Sequence, residues 1–365
     1  MRAWRWDLFC RVIDNFGDVG VCWRLAAALG ARGHAVRLWI DDASALAWMA
    51  PQGAPGVTVQ PWGDTPPDLP PGEVVVEAFG CAPPPGFVAR MAAGTVTYAA
   101  TQTATPTPPV WINLEYLSAE AYVERSHGLR SPQFAGPGAG LDKWFFYPGF
   151  TPATGGLLQD GAAVGDDPAG ARAWLRAQPW AQGWRESDPL VLLFGYASLP
   201  LPGLLQALAR TPTTLLLPPG ALRDRLQAEP LPSNLRLFAL PRVSQPEFDR
   251  VLAATDLNLV RGEDSFVRAQ LCAGAPFVWQ IYPQHDGAHA PKLEAFLDRY
   301  LAVSPPALAS TLRQLFHAAN GLAPWPAALP EICAWQAVHQ AWRARLRAQD
   351  DLCVQLLRFV KGRLG

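Results

Sequence analysis

Four acidic residues stand where this chain could do chemistry. Asp14 and Asp18 lie in Ile13-Asp-Asn-Phe-Gly-Asp-Val-Gly20, and Glu263 and Asp264 in Arg261-Gly-Glu-Asp-Ser-Phe-Val-Arg-Ala-Gln270. Each pair follows a short apolar run (7–13 and 257–260) and precedes a segment with helical spacing, so each marks a strand running into a helix. Such a turn is an anion site, because the first helical N–H groups lack internal partners and carry the positive end of the helix dipole. Arg261 adds a planar fork of donors suited to phosphate. Acids beside an anion site make sense if the hydroxyls of a sugar or ribose bind there too. The plain alternative is capping: Asp14 opening a turn, Asp18 capping the first helix, Asp264 or Ser265 capping the second. On spacing alone both readings stand, and for Asp14 they are compatible.

Other chemistries find less support. His285 and His289 have the spacing of two ligands on one helix face, but the Glu of H-E-x-x-H is missing and Gly287 weakens the helix, so no metal is expected. Ser198 and Ser265 lie in no G-x-S-x-G elbow. The first turn holds only Gly17-x-x-Gly20, short of the dinucleotide fingerprint, and no Walker A lysine motif occurs; an NAD-dependent oxidoreductase is disfavoured. Tyr196, Phe248 and Phe266 read as core aromatics, or as a platform for a planar base if they flank a crevice. Asn113-Leu-Glu-Tyr116, at another strand exit, reads as an ordinary loop packing Tyr116 and Tyr122.

The elements that must position these residues follow from the apolar periodicity. A strand over 7–13, a helix from about Val19 to Ala31 and a strand over 34–40 form the opening βαβ unit of a doubly wound sheet. Further strands are predicted at 57–59, 74–78 and 95–99. A Gly-rich stretch, 154–170, reads as a surface insertion or interdomain linker. A second alternating series then runs through strands at 190–194, 214–217, 235–239, 257–260 and 276–279, with helices at 204–209 and 245–255. The chain is therefore α/β, with two Rossmann-like doubly wound domains facing across a cleft: 1–180, completed by a terminal helix over 348–365, and 188–345. The Arg-rich terminal helices, 335–346 and 350–360, default to solvated polar faces.

Composition sets the outer bounds. The 365 residues suffice for about two domains, half are apolar, and 30 basic against 31 acidic residues leave the chain near neutral. That balance gives no electrostatic footprint for nucleic acid or an anionic membrane. The 6 cysteines are scattered without a C-x-x-C pair, which suits a reducing cytosol better than a disulfide framework. The N-terminal residues reach no apolar h-region and no run approaches membrane-spanning length, so a cytoplasmic protein is expected.

The two acidic motifs, with Phe277-Val-Trp-Gln-Ile-Tyr-Pro-Gln284, closely resemble the protein-arginine rhamnosyltransferase family that modifies bacterial elongation factor P. The match runs in order over nearly the whole length. The resemblance implies a GT-B fold, with the acceptor on the first domain and the nucleotide-sugar mainly on the second. It implies inverting transfer of L-rhamnose from dTDP-β-L-rhamnose to one arginine of elongation factor P, activating that factor for polyproline translation, with no metal and no further cofactor. Asp14 and Asp18 fall on the family's catalytic aspartates, Asp18 as general base and Asp14 orienting the acceptor guanidinium; Glu263 falls on its essential glutamate. Arg261, Gly262, Asp264 and Ser265 fall in the donor loop, Phe194, Tyr196 and Phe248 in the nucleotide pocket, and Tyr282 and Gln284 in the donor-side motif. Asn15, Phe16 and Gly17 of the first turn are also expected to touch the donor. One departure is visible: where the family often places a phenylalanine against the base, Arg242 follows Leu240-Pro241. Either Phe248 and Phe238 do the stacking, or Arg242 stacks by its own plane. The alternatives are a nucleotide-sugar transferase with another donor or acceptor, and a non-catalytic module binding elongation factor P.

Overall fold

The computed structural model describes residues 2–13, 16–63, 68–97, 104–106, 108–283, 287 and 289–364. The chain divides into two compact units, Met1–Asp160 with Gln349–Gly365, and Gly161–Ala348. Among the described residues no helix is long and apolar enough to cross a membrane.

The first unit is built on a seven-stranded sheet in the order β3-β2-β1-β4-β7-β9-β8. Its strands are β1 (Arg5–Cys10), β2 (Ala35–Ile40), β3 (Val57–Pro61), β4 (Val74–Ala78), β7 (Val110–Leu114), β8 (Arg130–Pro132) and β9 (Asp142–Phe146), all parallel to their neighbours except β8. The short β5 (Thr95–Thr97) and β6 (Ala104–Pro106) pair antiparallel with each other, outside the main sheet. Burial on both faces explains why the central strands read as apolar runs rather than alternating ones. β1 even buries Asp7, which is satisfied by Arg37 at 2.6 and 2.7 Å, the Trp39 indole N–H at 2.7 Å and the Gly72 N–H at 2.7 Å.

The strand expected over 7–13 spans Arg5–Cys10, and the helix behind it starts at Gly17, two residues ahead of expectation. That helix, Gly17–Ala31, ends as Gly33 takes the left-handed φ of 88° that admits a turn. A Cβ on Gly30 would lie 2.2 Å from the Pro55 carbonyl oxygen, so the return loop requires a glycine there. The helix Leu352–Leu364 joins the same core through Leu352, Cys353, Leu356, Leu357 and Val360 and packs on Gly17–Ala31 and β7. Its entry is tied by the Leu352 N–H donating to the Leu157 carbonyl at 3.0 Å and the Gln159 N–H to Asp351 at 2.7 Å.

The second unit carries a five-stranded, wholly parallel sheet, β12-β11-β10-β13-β14, from β10 (Leu190–Leu193), β11 (Thr213–Leu217), β12 (Leu235–Ala239), β13 (Leu257–Arg261) and β14 (Phe277–Gln280). The Gly-rich stretch is no surface insertion; it carries the chain from the first unit to the second, between Asp160 and Gly161, but as packed rather than open chain. Residues 154–158 are buried in the first unit, and from Gly161 on the chain belongs to the second, so 161–180 does not extend the first domain. The physical reason is close approach: a Cβ on Gly155 would sit 2.3 Å from the Phe146 ring, and one on Gly165 2.4 Å from the Cys272 carbonyl. Helix Pro168–Arg176 then packs on helix Gln245–Ala254, with Arg172 paired to Asp256 at 2.5 Å.

The Arg-rich terminal helix is likewise only partly solvated. On Ile332–Arg347, Arg343 donates to the Leu271 carbonyl at 2.8 Å and pairs with Asp166 at 2.8 Å, and Arg347 joins the same carboxylate at 2.5 Å.

Candidate active site

In open parallel sheets, ligands bind beyond the carboxyl ends of strands where the winding direction reverses. In the first unit that point lies between β1 and β4, because β2 and β3 follow on one side and β7 on the other. In the second it lies between β10 and β13 by the same logic. The sequence motifs leave β1, β10 and β13 at these points.

Asp18 lies in the first turn of Gly17–Ala31 and is only 3% exposed. It is not a cap: Phe16 holds the N-cap position without any side-chain cap bond. Instead the Asp18 carboxylate turns back toward the strand exits. Its Oδ2 accepts the Ile13 N–H at 2.8 Å, and the Tyr116 hydroxyl stands 3.5 Å from its Oδ1. Behind it, burial and the neighbouring Cys10 push the Cys22 thiol well above its ordinary range, which keeps a second anion away from Asp18. Phe16 packs its ring edge-on against Trp48 at 5.1 Å and Gly17 opens the helix. Asp14 and Asn15 lie outside the described residues.

In the second unit the expected residues come together as a chain of rings and charge. The Arg261 guanidinium, on the last residue of β13, lies 4.7 Å from the Phe194 ring and 4.8 Å from the Tyr196 ring. Phe248 adds its ring to Phe194 at 5.5 Å, and Tyr282 to Tyr196 at 5.7 Å. Phe248 is brought there by helix Gln245–Ala254, whose start is fixed by a capping box between Ser244 and Glu247. Arg242 lies exposed in the loop ahead of that helix. Gln284 and His285 lie outside the described residues.

The loop after β13 turns at Gly262, whose φ of 61° suits glycine. Glu263 takes the N-cap position of helix Asp264–Cys272 without a side-chain cap bond, so neither Asp264 nor Ser265 is the N-cap. The Ser265 hydroxyl reaches back instead, donating to the Arg261 carbonyl at 2.5 Å and accepting the Arg261 N–H at 3.2 Å. Asp264 is approached by the Gln245 amide at 3.5 Å, and Glu263 is half-buried. Helix Asp264–Cys272 is anchored from below by Arg268, which is buried and grips Asp249 in a two-pronged pair at 3.1 and 2.8 Å.

Two residues that sequence reasoning passed over hold both loops at once. The Trp279 indole N–H donates to the Gly262 carbonyl at 2.7 Å, while its ring stacks on Phe266 at 3.8 Å. The next residue, Gln280, accepts the Tyr196 N–H at 2.7 Å and donates to Ser198 at 3.3 Å. A Cβ on Gly195 would come within 2.8 Å of that amide oxygen, so the β10 exit presses directly onto Gln280. The available signal was their type: two hydrogen-bonding side chains at the carboxyl end of a buried parallel strand need partners.

Chemically, the first unit presents a carboxylate able to accept a proton or grip a cation. The second presents a guanidinium among aromatic faces beside a helix N-terminus, which suits a nucleotide with its phosphates.

Residues 6–361 match the model of the Elongation-Factor P (EF-P) rhamnosyltransferase EarP. A protein-arginine rhamnosyltransferase of Pseudomonas putida is 40% identical, over 98% of this chain and 99% of that one. One from Neisseria meningitidis is 36% identical over 92% and 90%. A solved EarP structure, described for EarP-mediated arginine glycosylation of translation elongation factor EF-P, covers 98% of this chain and 99% of its own with a TM-score of 0.63 at 29% identity. The calicheamicin glycosyltransferase CalG4 shares the fold at a TM-score of 0.51 and 14% identity, covering the whole of both chains (100% each). The fold is that of the GT-B glycosyltransferases, and the chain belongs to the EarP family of elongation factor P rhamnosyltransferases.

Proposed function

We propose that this chain transfers L-rhamnose from dTDP-β-L-rhamnose to an arginine side chain of elongation factor P in the cytoplasm, by a single inverting displacement without a metal. Family membership supports the reaction class. The observation that carries the finer reading is the pairing of charge types at the two switch points: a buried carboxylate, Asp18, beyond β1 and a guanidinium, Arg261, at the end of β13.

An arginine acceptor is a weak nucleophile, since its guanidinium is protonated and its lone pairs are delocalised. A carboxylate can orient it and accept the proton as the new bond forms. Asp18 is assigned that role, with Asp14 as the second grip. The acceptor nitrogen bonds to the anomeric carbon, the bond from that carbon to the diphosphate oxygen breaks on the opposite face, and the nitrogen's proton passes to Asp18. Charge developing on the departing dTDP is met by Arg261 and by N–H groups of the 262–265 turn. Phe194, Tyr196 and Phe248 supply faces for the base, Glu263 meets sugar or ribose hydroxyls, and Tyr282 and Gln284 complete the donor side.

The test is purified protein with dTDP-β-L-rhamnose and unmodified elongation factor P, read by intact-protein mass spectrometry. One deoxyhexose added to the acceptor is expected; no gain with this donor, but a gain with another nucleotide sugar, would replace the donor assignment. Asp18→Asn should lower turnover by about 10²–10⁴-fold, the worth of general-base catalysis, with donor affinity retained.

A further inference from the structure

Phe79 is the only non-glycine among the described residues with a positive φ, at 58°. A bulky side chain in the left-handed region is strained and persists only where its surroundings over-determine it. Here they do. Phe79 follows the last residue of β4, beside the first unit's switch point. Its N–H donates to the Leu114 carbonyl at 2.7 Å. The next N–H, of Gly80, donates to the Asn113 side chain at 3.2 Å, and the Asn113 amide in turn donates to Glu115 at 2.8 Å. The strained turn is thereby locked to the end of β7.

What this lock produces is a stacked pair. The Phe79 ring lies on the Tyr116 ring at 4.3 Å and 13° between planes. The Tyr116 hydroxyl is the group 3.5 Å from Asp18 Oδ1. Strand exits β1 and β7 thus each aim one donor at one oxygen of the same carboxylate, the Ile13 N–H at Oδ2 and Tyr116 at Oδ1. Residues Asn113-Leu-Glu-Tyr116 are not an ordinary packing loop.

We propose that Tyr116 is a positioning residue for Asp18, and that the strained Phe79 is kept as the surface that fixes the plane of the Tyr116 ring. The hydroxyl sets the rotation of the carboxylate, and with it the direction from which Asp18 meets the acceptor guanidinium. At 3.5 Å the contact is long for a hydroxyl on a carboxylate, as hydrogen bonds in unliganded catalytic sites often are. This rests on Asp18 being the base.

The experiment compares Tyr116→Phe, Tyr116→Ala, Phe79→Asn and Asp18→Asn by steady-state transfer from dTDP-β-L-rhamnose to elongation factor P, with thermal unfolding of each. Tyr116→Phe keeps the ring and loses only the hydroxyl; kcat should fall about tenfold, the worth of one hydrogen bond to a charge, with donor KM unchanged. Phe79→Asn puts a residue tolerant of left-handed φ in place of the ring, so it should melt no lower than the native protein yet lose kcat several-fold, on the order of the effect of Tyr116→Phe. If Tyr116→Phe turns over normally and only Tyr116→Ala is impaired, the ring is mere packing and the inference is overturned. If Asp18→Asn itself retains turnover, the base assignment falls and this inference with it. Loss in Asp18→Asn with full activity in both Tyr116→Phe and Phe79→Asn overturns the positioning role alone.

Discussion

At the scale of single residues, the proposed donor half of the reaction turns on Arg261. Its guanidinium is flanked by Phe194 and Tyr196, so its planarity matters as much as its charge. Arg261→Lys keeps the charge and loses the plane. Donor KM should rise about tenfold while the acceptor KM stays put, measured by titrating each substrate separately. An unchanged donor KM would show that charge alone suffices there. The acidic residues were legible in the sequence because strand, turn and helix start have strong local signatures. Their partners were not. Nothing local marks Phe79 as left-handed or links Tyr116 to Asp18, 98 residues away, since that contact exists only once β1 and β7 share a sheet. For Asp18 and Ser265, local rules also misled: capping preference is a statement about isolated helix ends, and here both side chains bond back to the strand side.

At the scale of elements, β14 supports the loops proposed to bind the donor. Its Trp279 and Gln280 clamp the exits of β13 and β10, so the two loops share one support. Trp279→Phe preserves the ring stacked on Phe266 and removes the bond to the Gly262 carbonyl. Stability should drop by about 1 kcal/mol, and the donor KM should rise several-fold with kcat for saturated enzyme little changed, on the order of one neutral hydrogen bond. Calorimetry and donor titration read the two effects separately. The strands themselves were easy to find because parallel strands buried on both faces are apolar throughout. The 154–170 stretch was harder. Glycine signals open loops and close packing alike, and only the neighbours of Gly155 and Gly165 decide for packing.

At the scale of the whole molecule, each unit has its own weak point. In the second it is His339, fully buried on helix Ile332–Arg347, with Nε2 3.0 Å from the Ala273 carbonyl. Burial pulls its pKa down from 6.5 to about 4, an effect the Ala273 bond opposes and Arg343 reinforces. Between these values the unfolded chain binds a proton that the folded unit refuses. The stabilisation is therefore complete above pH 6.5 and lost as pH falls toward 4, by about 3 kcal/mol in all. His339→Gln, which keeps a donor and does not titrate, should flatten that part of the profile in urea unfolding followed from pH 7 to pH 4. In the first unit the weak point is the terminal helix, whose Leu356 and Val360 are fully buried and whose Phe359 meets Trp144 and Phe146. Ending the chain after Ala348 should unfold the first unit while the second still binds the nucleotide, as limited proteolysis and thymidine diphosphate titration would report. Two alternating series of strands and helices were readable from periodicity. The chain's return to its first unit, through a terminal helix over 348–365, was expected from the two-domain pattern rather than from any local signal.

That return has a consequence for how the protein is made. Since Gln349–Gly365 belong with Met1–Asp160, the second unit is an insertion in the first. The ribosome adds the helix Leu352–Leu364 only after the whole of 161–348, roughly 10–40 s later at ordinary elongation rates. The second unit is therefore complete in sequence before the first. The second unit has all its residues while the nascent first unit still presents Trp144 and Phe146 without Phe359. A codon-level pause placed after Ala348 would lengthen that exposure, and one placed before Gly161 would not.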